Sequence, residues 1–312
     1  MDWDMLEPLA RKVRNWGRWG EADQRGTLNH IGPEALRRAA ATVTSGKAFS
    51  LSLRFDRNGP QTGAMRANPS LYFTDLATPL DPAKPEGPAM SDDIIHMALQ
   101  CSTHWDALSH VHYDGVLYNG CKASETLSLR GASKNGIEHL ASPGIMSRGV
   151  LLDVARFHGR EILAPDHAIS IDDLEAVAAA QNVTIEPGDI VLIRTGHIRH
   201  FTINGDRAAF NNSQAGLHPA CAEWLYDKSI AAVAADNLAV ETISYENFTA
   251  GVPLAMHMAC LRDMGMPLGE MFNLDALAED CATDGRYTFL LCAPPLAITG
   301  AVGSPVNPMA LK

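Results

Sequence analysis

Residues 103–110 read THWDALSH, and this stretch decides how the rest of the chain is interpreted. If its first five residues are extended, the side chains of His104 and Asp106 project from the same face, because side chains alternate along a strand. An imidazole and a carboxylate together suit a borderline divalent ion. His110 can return to that site after a turn, and Gln100, four residues before His104, can offer a carbonyl oxygen. The stretch therefore predicts a metal site formed by these four side chains.

Several of the candidate residues also have plain structural interpretations. A His-x-Asp pair also occurs as a salt bridge or as a histidine oriented by a carboxylate, and the chain holds 12 histidines. His257 lies near an apolar helix start, where buried structural histidines are common. Trp105 can stack on a cyclic substrate or pack in the core, and Phe73 can line a pocket or anchor a loop. We name Trp105 and Phe73 as candidate substrate contacts and leave these alternatives open.

The composition excludes several classes of partner. The chain has 312 residues, 46% of them hydrophobic, which is enough for a sizeable core. Its net charge of -11 repels phosphate backbones and anionic bilayers, so we expect neither nucleic acid nor a membrane as partner. The acidic N-terminus predicts no secretory signal, and no run of about 18 apolar residues occurs. The 6 cysteines lack paired spacing and indicate reduced thiols, so we expect a cytoplasmic location.

Apolar runs and turn residues predict a mixture of strands and helices. The predicted strands are 147–154, 190–196, 230–235 and 287–293, and the predicted helices are 170–181, 219–228 and 273–281. Residues 48–56 alternate as in a half-buried strand, whereas the prolines of residues 57–92 predict one long Pro/Gly-rich loop without long regular elements. Residues 1–45 look helical. No composition shift marks a linker, so the pattern predicts a single α/β domain over residues 1–312.

The central stretch resembles a family signature. THWDALSH is similar to the T-H-x-D-x-P-x-H signature of the cyclase family of metal-dependent hydrolases, which includes bacterial kynurenine formamidases and isatin hydrolases. Four further blocks resemble the longer-chain branch of that family, in the family's order. They are RWG through GTLN (18–29), DGVLYNG (114–120), PGDIVLIRTG (187–196) and a closing block that runs from a His through GMP and Glu to NLD (257–275).

The resemblance carries implications for fold, assembly and site. It implies the swivelling β/β/α fold and homodimers or homotetramers, with the N-terminal segment 1–45 taking part in oligomer contacts. The family's ion-binding residues fall on His104 and Asp106, and the signature's last histidine falls on His110, as a metal ligand or an acid/base residue. The closing block places a histidine and a glutamate on His257 and Glu270, which complete the site in two-metal members.

Two positions depart from the family pattern. The formamidases have a histidine where this chain has Gln100, and the signature proline is Leu108 here. Because Gln100 is a weaker, neutral ligand, the sequence favours one tightly held ion over two. A site of histidine, aspartate and glutamine suits Mn²⁺ or Zn²⁺ about equally well.

These features together predict a metal-dependent hydrolase of an amide, lactam or related C–N bond in a small cyclic or aromatic substrate. His110, His257 and Glu270 are the predicted catalytic residues. Two alternatives stay open: a lactone or other cyclic-ester hydrolase on the same site, and an inactive homologue that binds a small ligand or serves as a scaffold. The sequence lacks a GxSxG elbow, a GxGxxG run and a Walker motif, so neither a serine nucleophile nor a nucleotide cofactor has support.

Overall fold

A computed structural model describes residues 3–244 and 251–312 of the chain. The strands are β1 (Ala48–Ser50), β2 (Ser70–Pro79), β3 (Ala89–His96), β4 (His104–Asp106), β5 (Leu127–Ser128), β6 (Gly131–Ala132), β7 (Met146–Asp153), β8 (Ala168–Ile169), β9 (Ile190–Arg194), β10 (Gly216–Leu217), β11 (Ala232–Ala235), β12 (Leu268–Glu270), β13 (Thr288–Cys292), β14 (Gly303–Pro305) and β15 (Met309–Leu311). The helices are α1 (Trp3–Val13), α2 (Pro33–Ala40), α3 (Ala123–Thr126), α4 (Glu138–Ala141), α5 (Val154–Phe157), α6 (Ile171–Ala180), α7 (Arg199–Thr202), α8 (Arg207–Phe210), α9 (Cys221–Asp227), α10 (Ala255–His257) and α11 (Asp275–Asp284). A π-helical segment, Met258–Met264, continues directly from α10.

A mixed sheet, nine-stranded over the described residues, has the strand order β1-β15-β13-β7-β9-β11-β12-β4-β14. The strands β7, β9, β11 and β12 run parallel, and the pairs on either side of them are antiparallel. Every residue of β9 and β11 is buried, because a parallel sheet is covered on both faces, and all of them except Arg194 at the end of β9 are apolar. The predicted strands correspond to β7, β9, β11 and β13, and the α/β class is confirmed.

Two hydrophobic cores lie on opposite faces of the sheet, since alternate residues of each strand point to opposite sides. In β9, Val191 and Ile193 belong to one core, and Ile190 and Leu192 belong to the other. Helices α6 and α9 cover the first core, and α11 covers the second. Each fully buried aliphatic side chain contributes roughly 1.5–3 kcal/mol, so the central strands are firmly fixed.

The N-terminal helix packs on its own chain. Leu6, Leu9 and Val13 of α1 are buried, and Arg14 just after the helix forms an ion pair of 2.8 Å with the buried Asp263. The role of this segment in oligomer contacts stays a prediction. Across residues 3–244 and 251–312, no helix is both long and apolar enough to cross a bilayer.

The structure corrects the prediction for residues 57–92. The strands β2 and β3 form an antiparallel hairpin in which Ser70 pairs with His96 and Pro79 with Ala89. The prolines bracket the strands instead of interrupting them, because nine consecutive residues between Pro69 and Pro79 are free of proline. The predicted strand 48–56 is also shorter than expected and ends as β1 at Ser50, although Leu51 and Leu53 are buried in the predicted alternation.

Candidate metal centre

The THWDALSH stretch forms β4 and the turn that follows it. The strand lies between β12 and β14, and its antiparallel register places Glu270 of β12 directly opposite His104. Directly opposite residues on antiparallel strands share a face of the sheet. His104, Asp106 and Glu270 therefore project to the same side, where their exposed fractions are 0%, 0% and 2%.

These three side chains converge on one point. The Nε2 atom of His104 lies 3.2 Å from Oε2 of Glu270 and 3.4 Å from Oδ1 of Asp106. One ligand atom from each residue lies within 4.8 Å of the other two. The predicted alternation of His104 and Asp106 along an extended strand is thus observed, and β12 brings a third candidate ligand, Glu270, to them.

The hydrogen bonding of the cluster tests whether a cation fits it. Within residues 3–244 and 251–312, neither His104 Nε2 nor the two carboxylate oxygens of Asp106 has a hydrogen-bond partner, although all three atoms are buried. Buried polar atoms are rarely left unpaired, since each costs about 1–3 kcal/mol. On the other side of the ring, Nδ1 of His104 lies 2.8 Å from the carbonyl oxygen of Ser102 and must donate to it. That bond leaves the Nε2 lone pair directed into the cluster, as in metal-binding histidines.

The charges of the cluster compensate one another. Burial disfavours the charged form of His104, but the adjacent carboxylates of Asp106 and Glu270 outweigh it and raise its pKa to about 9. Burial also disfavours the charged form of Asp106 and would raise its pKa. The neighbouring histidines outweigh burial and hold the pKa of that carboxyl well below its usual range. The carboxylates are therefore anionic, and a cation and a proton compete for the same histidine.

His257 completes one side of the cluster. Its Nε2 atom lies 3.1 Å from Oε1 of Glu270 and 3.6 Å from Oδ2 of Asp106, so the structure brings His257 and Glu270 together as the resemblance implies. On the far side of the ring, Nδ1 lies 2.6 Å from Oε1 of Glu241. Burial opposes protonation of His257, but the carboxylates of Asp106, Glu241 and Glu270 raise its pKa well above the ordinary value.

Glu241 is a site residue that the sequence analysis missed. It is 3% exposed, and its carboxylate also accepts hydrogen bonds from the backbone N–H groups of Met256 and His257. These contacts fix both the start of α10 and the ring of His257. The sequence offers no spacing rule that joins Glu241 to His257, because their separation of 16 residues is longer than the three- or four-residue spacing that brings side chains together on a helix.

His110 lies at the mouth of the cluster. Its Nε2 atom is 3.7 Å from Oδ1 of Asp106, and its side chain is 22% exposed, whereas those of His104 and His257 are 0% and 3% exposed. Burial lowers the pKa of His110, and the net effect of Asp106, His257 and other nearby charges leaves it below the ordinary value. His110 is therefore a neutral imidazole next to both the cluster and solvent.

Gln100 reaches the same face of the sheet. Gly303 of β14 pairs with Asp106, and a Cβ atom at Gly303 would come 2.7 Å from the side-chain Nε2 of Gln100. The absence of a side chain at Gly303 thus leaves room for the Gln100 carboxamide. Its backbone oxygen accepts a hydrogen bond from Arg66, which anchors the segment. The role of Gln100 as a ligand stays a prediction.

The two candidate substrate contacts, Trp105 and Phe73, do not face the cluster of His104, Asp106 and Glu270. Trp105 alternates with its neighbours and points to the opposite face of β4, where it is fully buried against Phe272 and donates its indole N–H to the carbonyl of Ala293. The prediction that Trp105 stacks on a substrate is therefore wrong, and its core interpretation holds. Phe73 lies on β2 of the hairpin and is 57% exposed, so within this chain it does not line a closed pocket.

Comparison with known proteins identifies the family. The Cyclase family model matches residues 51–242, which include the THWDALSH stretch. A crystal structure described as a novel cyclase is 39% identical, with a TM-score of 0.86, and the match covers 96% of this chain and 100% of that one. The chain belongs to the cyclase family. A comparison with curated proteins finds no match.

More distant structures share the fold. Isatin hydrolase A from Labrenzia aggregata, bound to benzyl benzoate, is 18% identical with a TM-score of 0.61, and the match covers 87% of this chain and 94% of that one. A protein from Bacillus stearothermophilus, described as a predicted metal-dependent hydrolase, is 17% identical with a TM-score of 0.53, over 86% of this chain and 98% of that one. At these identities the likeness concerns the fold alone.

Proposed function

We propose that the protein is a metal-dependent hydrolase that opens an amide, lactam or related C–N bond in a small cyclic or aromatic substrate. The observation that carries this proposal is the set of unpaired, buried atoms of His104 and Asp106, which converge with Glu270 on one point. A scaffold or a simple binding protein has no need of such a costly arrangement. The distant isatin hydrolase, whose name gives a cyclic substrate, supports the choice of bond.

The residues suited to hold the cation are His104, Asp106 and Glu270, with Gln100 and His257 next to them. An imidazole and two carboxylates, with an amide beside them, are a donor set for Zn²⁺ or Mn²⁺. When bound, such an ion supplies Lewis acidity for a carbonyl oxygen and lowers the pKa of a water. A compact cluster with one shared centre favours a single tightly held ion.

The protein's own side chains supply proton transfer and positioning. His110 is neutral and partly exposed, so it can take a proton from the attacking water and return it to the leaving nitrogen. His257 is held by Glu241 on one nitrogen and by Glu270 on the other, which fixes the direction of its ring. Burial of the cluster excludes bulk water and strengthens each of these contacts.

A substrate panel tests the bond that is cleaved. We would treat the purified protein with chelator, remove the chelator, and reload portions with Mn²⁺ or Zn²⁺. Each portion is then assayed by chromatography against an aromatic lactam such as isatin, an N-aryl formamide and a matched aromatic lactone. We expect turnover of a C–N substrate that disappears on chelation and returns with metal. Turnover of the lactone alone, or full activity without metal, would contradict the proposal.

Two alanine variants compare a residue of the proposed metal site with a histidine outside it. His104→Ala removes a ligand from the cluster, and we expect it to bind one metal ion fewer per chain and to lose activity. His139→Ala replaces a partly exposed histidine whose neighbour is Glu138, and we expect no change in either property. Full activity of His104→Ala would refute the ligand assignment.

A further inference from the structure

A second group of metal-binding side chains lies apart from the centre already described. His158, at the end of α5, His167, in the loop before β8, and Asp173, in the first turn of α6, each offer one ligand atom, and these atoms lie within 4.8 Å of one another. None of the three belongs to the elements that carry His104, Asp106 or Glu270. We propose that these residues form a second zinc site, which stabilises the fold and leaves a fourth position for water.

The geometry of Asp173 prepares one ligand oxygen. Its Oδ2 atom accepts hydrogen bonds from the backbone N–H and the hydroxyl of Ser170, at 2.9 and 2.8 Å, in a capping box at the start of α6. This locks the carboxylate and leaves Oδ1 directed at His158, whose Nε2 atom lies 3.2 Å away. Asp173 thus has separate structural and ligand oxygens.

The second histidine is what distinguishes this group from a simple ion pair. The rings of His158 and His167 lie 4.8 Å apart between centroids, and Nε2 of His167 is buried without a hydrogen-bond partner in the part of the chain that the structure describes. A proton shared by His158 and Asp173 satisfies that pair and does nothing for His167. A divalent cation satisfies all three ligand atoms at once, and two imidazoles with one carboxylate are a common zinc donor set.

The position of the group gives the site its effect. The residues from His158 to Ser170 join the end of α5 to the start of α6, and they contain Gly159 and Pro165 but little regular structure. A cation bound by His158, His167 and Asp173 would link the end of α5, the loop and the start of α6, and would restrain the loop between the two helices. Binding of that kind stabilises the folded state, because the unfolded chain has no preformed site. The side chains of His158 and Asp173 are 31% and 22% exposed, so the site is open to exchange with solution.

Metal stoichiometry tests the site directly. Chelator-treated protein is dialysed against buffered micromolar Zn²⁺, and bound zinc per chain is measured by mass spectrometry for the wild type, for His158→Ala/His167→Ala, and for His139→Ala as a control of similar exposure. We expect the double variant to bind one zinc fewer per chain than the wild type and the control. Equal stoichiometry in all three proteins overturns the proposal.

A milder substitution guards against a folding defect. Asp173→Asn keeps an oxygen that accepts from Ser170 but removes the negative charge of the ligand. It is combined with His104→Ala, which removes metal binding at the central site. We expect Zn²⁺ to raise the melting temperature of His104→Ala, and at least tenfold more Zn²⁺ to be required when Asp173→Asn is added. An identical zinc dependence of the two proteins overturns the second site without bearing on the proposed hydrolase.

Discussion

The role of His110 can be decided at the level of a single side chain. His110→Asn keeps a polar group of similar size at the mouth of the cluster but cannot exchange a proton near neutral pH. If His110 is an acid/base residue, we expect the rate to fall by about 10²–10⁴-fold while bound metal per chain is unchanged. Metal analysis and steady-state kinetics on the same sample measure both quantities. Loss of metal together with activity would instead make His110 a ligand.

Glu241 is expected to act through His257. The carboxylate lies 2.6 Å from Nδ1 of His257 and also binds two backbone N–H groups. Glu241→Gln keeps one oxygen for the two donors of His257, but it removes the charge and replaces the oxygen that accepts from the N–H of Met256, whereas Glu241→Ala removes both acceptors. We expect the glutamine variant to be destabilised less than the alanine variant and to lose about 10–100-fold in kcat or metal affinity.

The comparison of the two variants distinguishes positioning from simple structural support. If Glu241 only supports the start of α10, the glutamine variant should have wild-type kinetics and the alanine variant alone should be impaired. Kinetics, metal content and thermal unfolding of both variants, with Glu175→Gln as an exposed control, give the answer.

His197 gives the fold a pH dependence that is independent of the metal centre. Burial lowers its pKa to about 4, although its ring hydrogen-bonds the carbonyl of Phe210. The unfolded chain binds the proton more readily, so stability falls as the pH drops from about 6.5 towards 4 and levels off below. At about 1.4 kcal/mol per pH unit, the loss between pH 6.5 and pH 5 is roughly 2 kcal/mol.

Replacing His197 with a residue that donates a hydrogen bond but does not titrate tests whether His197 causes this pH dependence. His197→Gln retains an N–H for the Phe210 carbonyl, and we expect its free energy of unfolding to change less than that of the wild type between pH 7 and pH 5, by roughly 2 kcal/mol. Urea denaturation at the two pH values measures the difference. Parallel curves for the two proteins would show that His197 does not cause the pH dependence.

At the scale of elements, the position of Glu270 depends on a glycine beside it. A Cβ atom at Gly269 would lie 2.7 Å from Cβ of Ala234, 2.7 Å from the ring of Trp105 and 2.9 Å from the ring of Phe272. Such contacts are too short, so Gly269→Ala must displace β12 from its neighbours. We expect a loss of about 1–3 kcal/mol in stability, and weaker metal binding because Glu270 moves with the strand.

Gly32 provides the matched control for this substitution. A Cβ atom there meets no atom within 4 Å, so we expect Gly32→Ala to leave metal binding unchanged and to cost less than about 1 kcal/mol as a helix-capping effect. Urea denaturation and metal titration of both variants make the comparison. Normal metal affinity in Gly269→Ala would mean that β12 tolerates the shift without moving Glu270.

The elements also show what a sequence can and cannot predict. Strands β7, β9 and β13 are predictable because each contains a run of apolar residues, and the common orientation of His104 and Asp106 follows from the alternation of side chains along a strand. The approach of His257 and Glu270 to that pair came from the family resemblance, since no local period links them. The hairpin is not predicted because the many prolines of residues 57–92 indicate a loop, although the nine residues between Pro69 and Pro79 contain no proline and can form a strand. Glu241 was missed because its contact with His257 depends on tertiary folding alone.

At the scale of the whole molecule, the hairpin bears on assembly. Leu71, Tyr72 and Phe73 of β2 and Ile94 and Ile95 of β3 are each between 47% and 58% exposed. An isolated two-stranded hairpin is marginally stable in water, and contiguous exposed apolar side chains indicate a protein contact. We therefore expect this hairpin to pack on a second copy of the chain in a homodimer or homotetramer, and Phe73 to be buried there.

Light scattering after size exclusion tests the assembly. We expect the wild type to have two or four times the mass of one 33.6 kDa chain, and Phe73→Ser/Ile95→Ser to shift towards a single chain. Leu129→Ser alters another exposed apolar residue, in the turn between β5 and β6, and should leave the mass unchanged. A wild type that runs as a single chain would show that the hairpin is not an assembly contact. If the double variant dissociates and loses activity while its metal content stays that of the wild type, that result would show that the hairpin of one subunit contributes to the active site of another. Phe73 would then contact substrate in the neighbouring subunit, as it does not within its own chain.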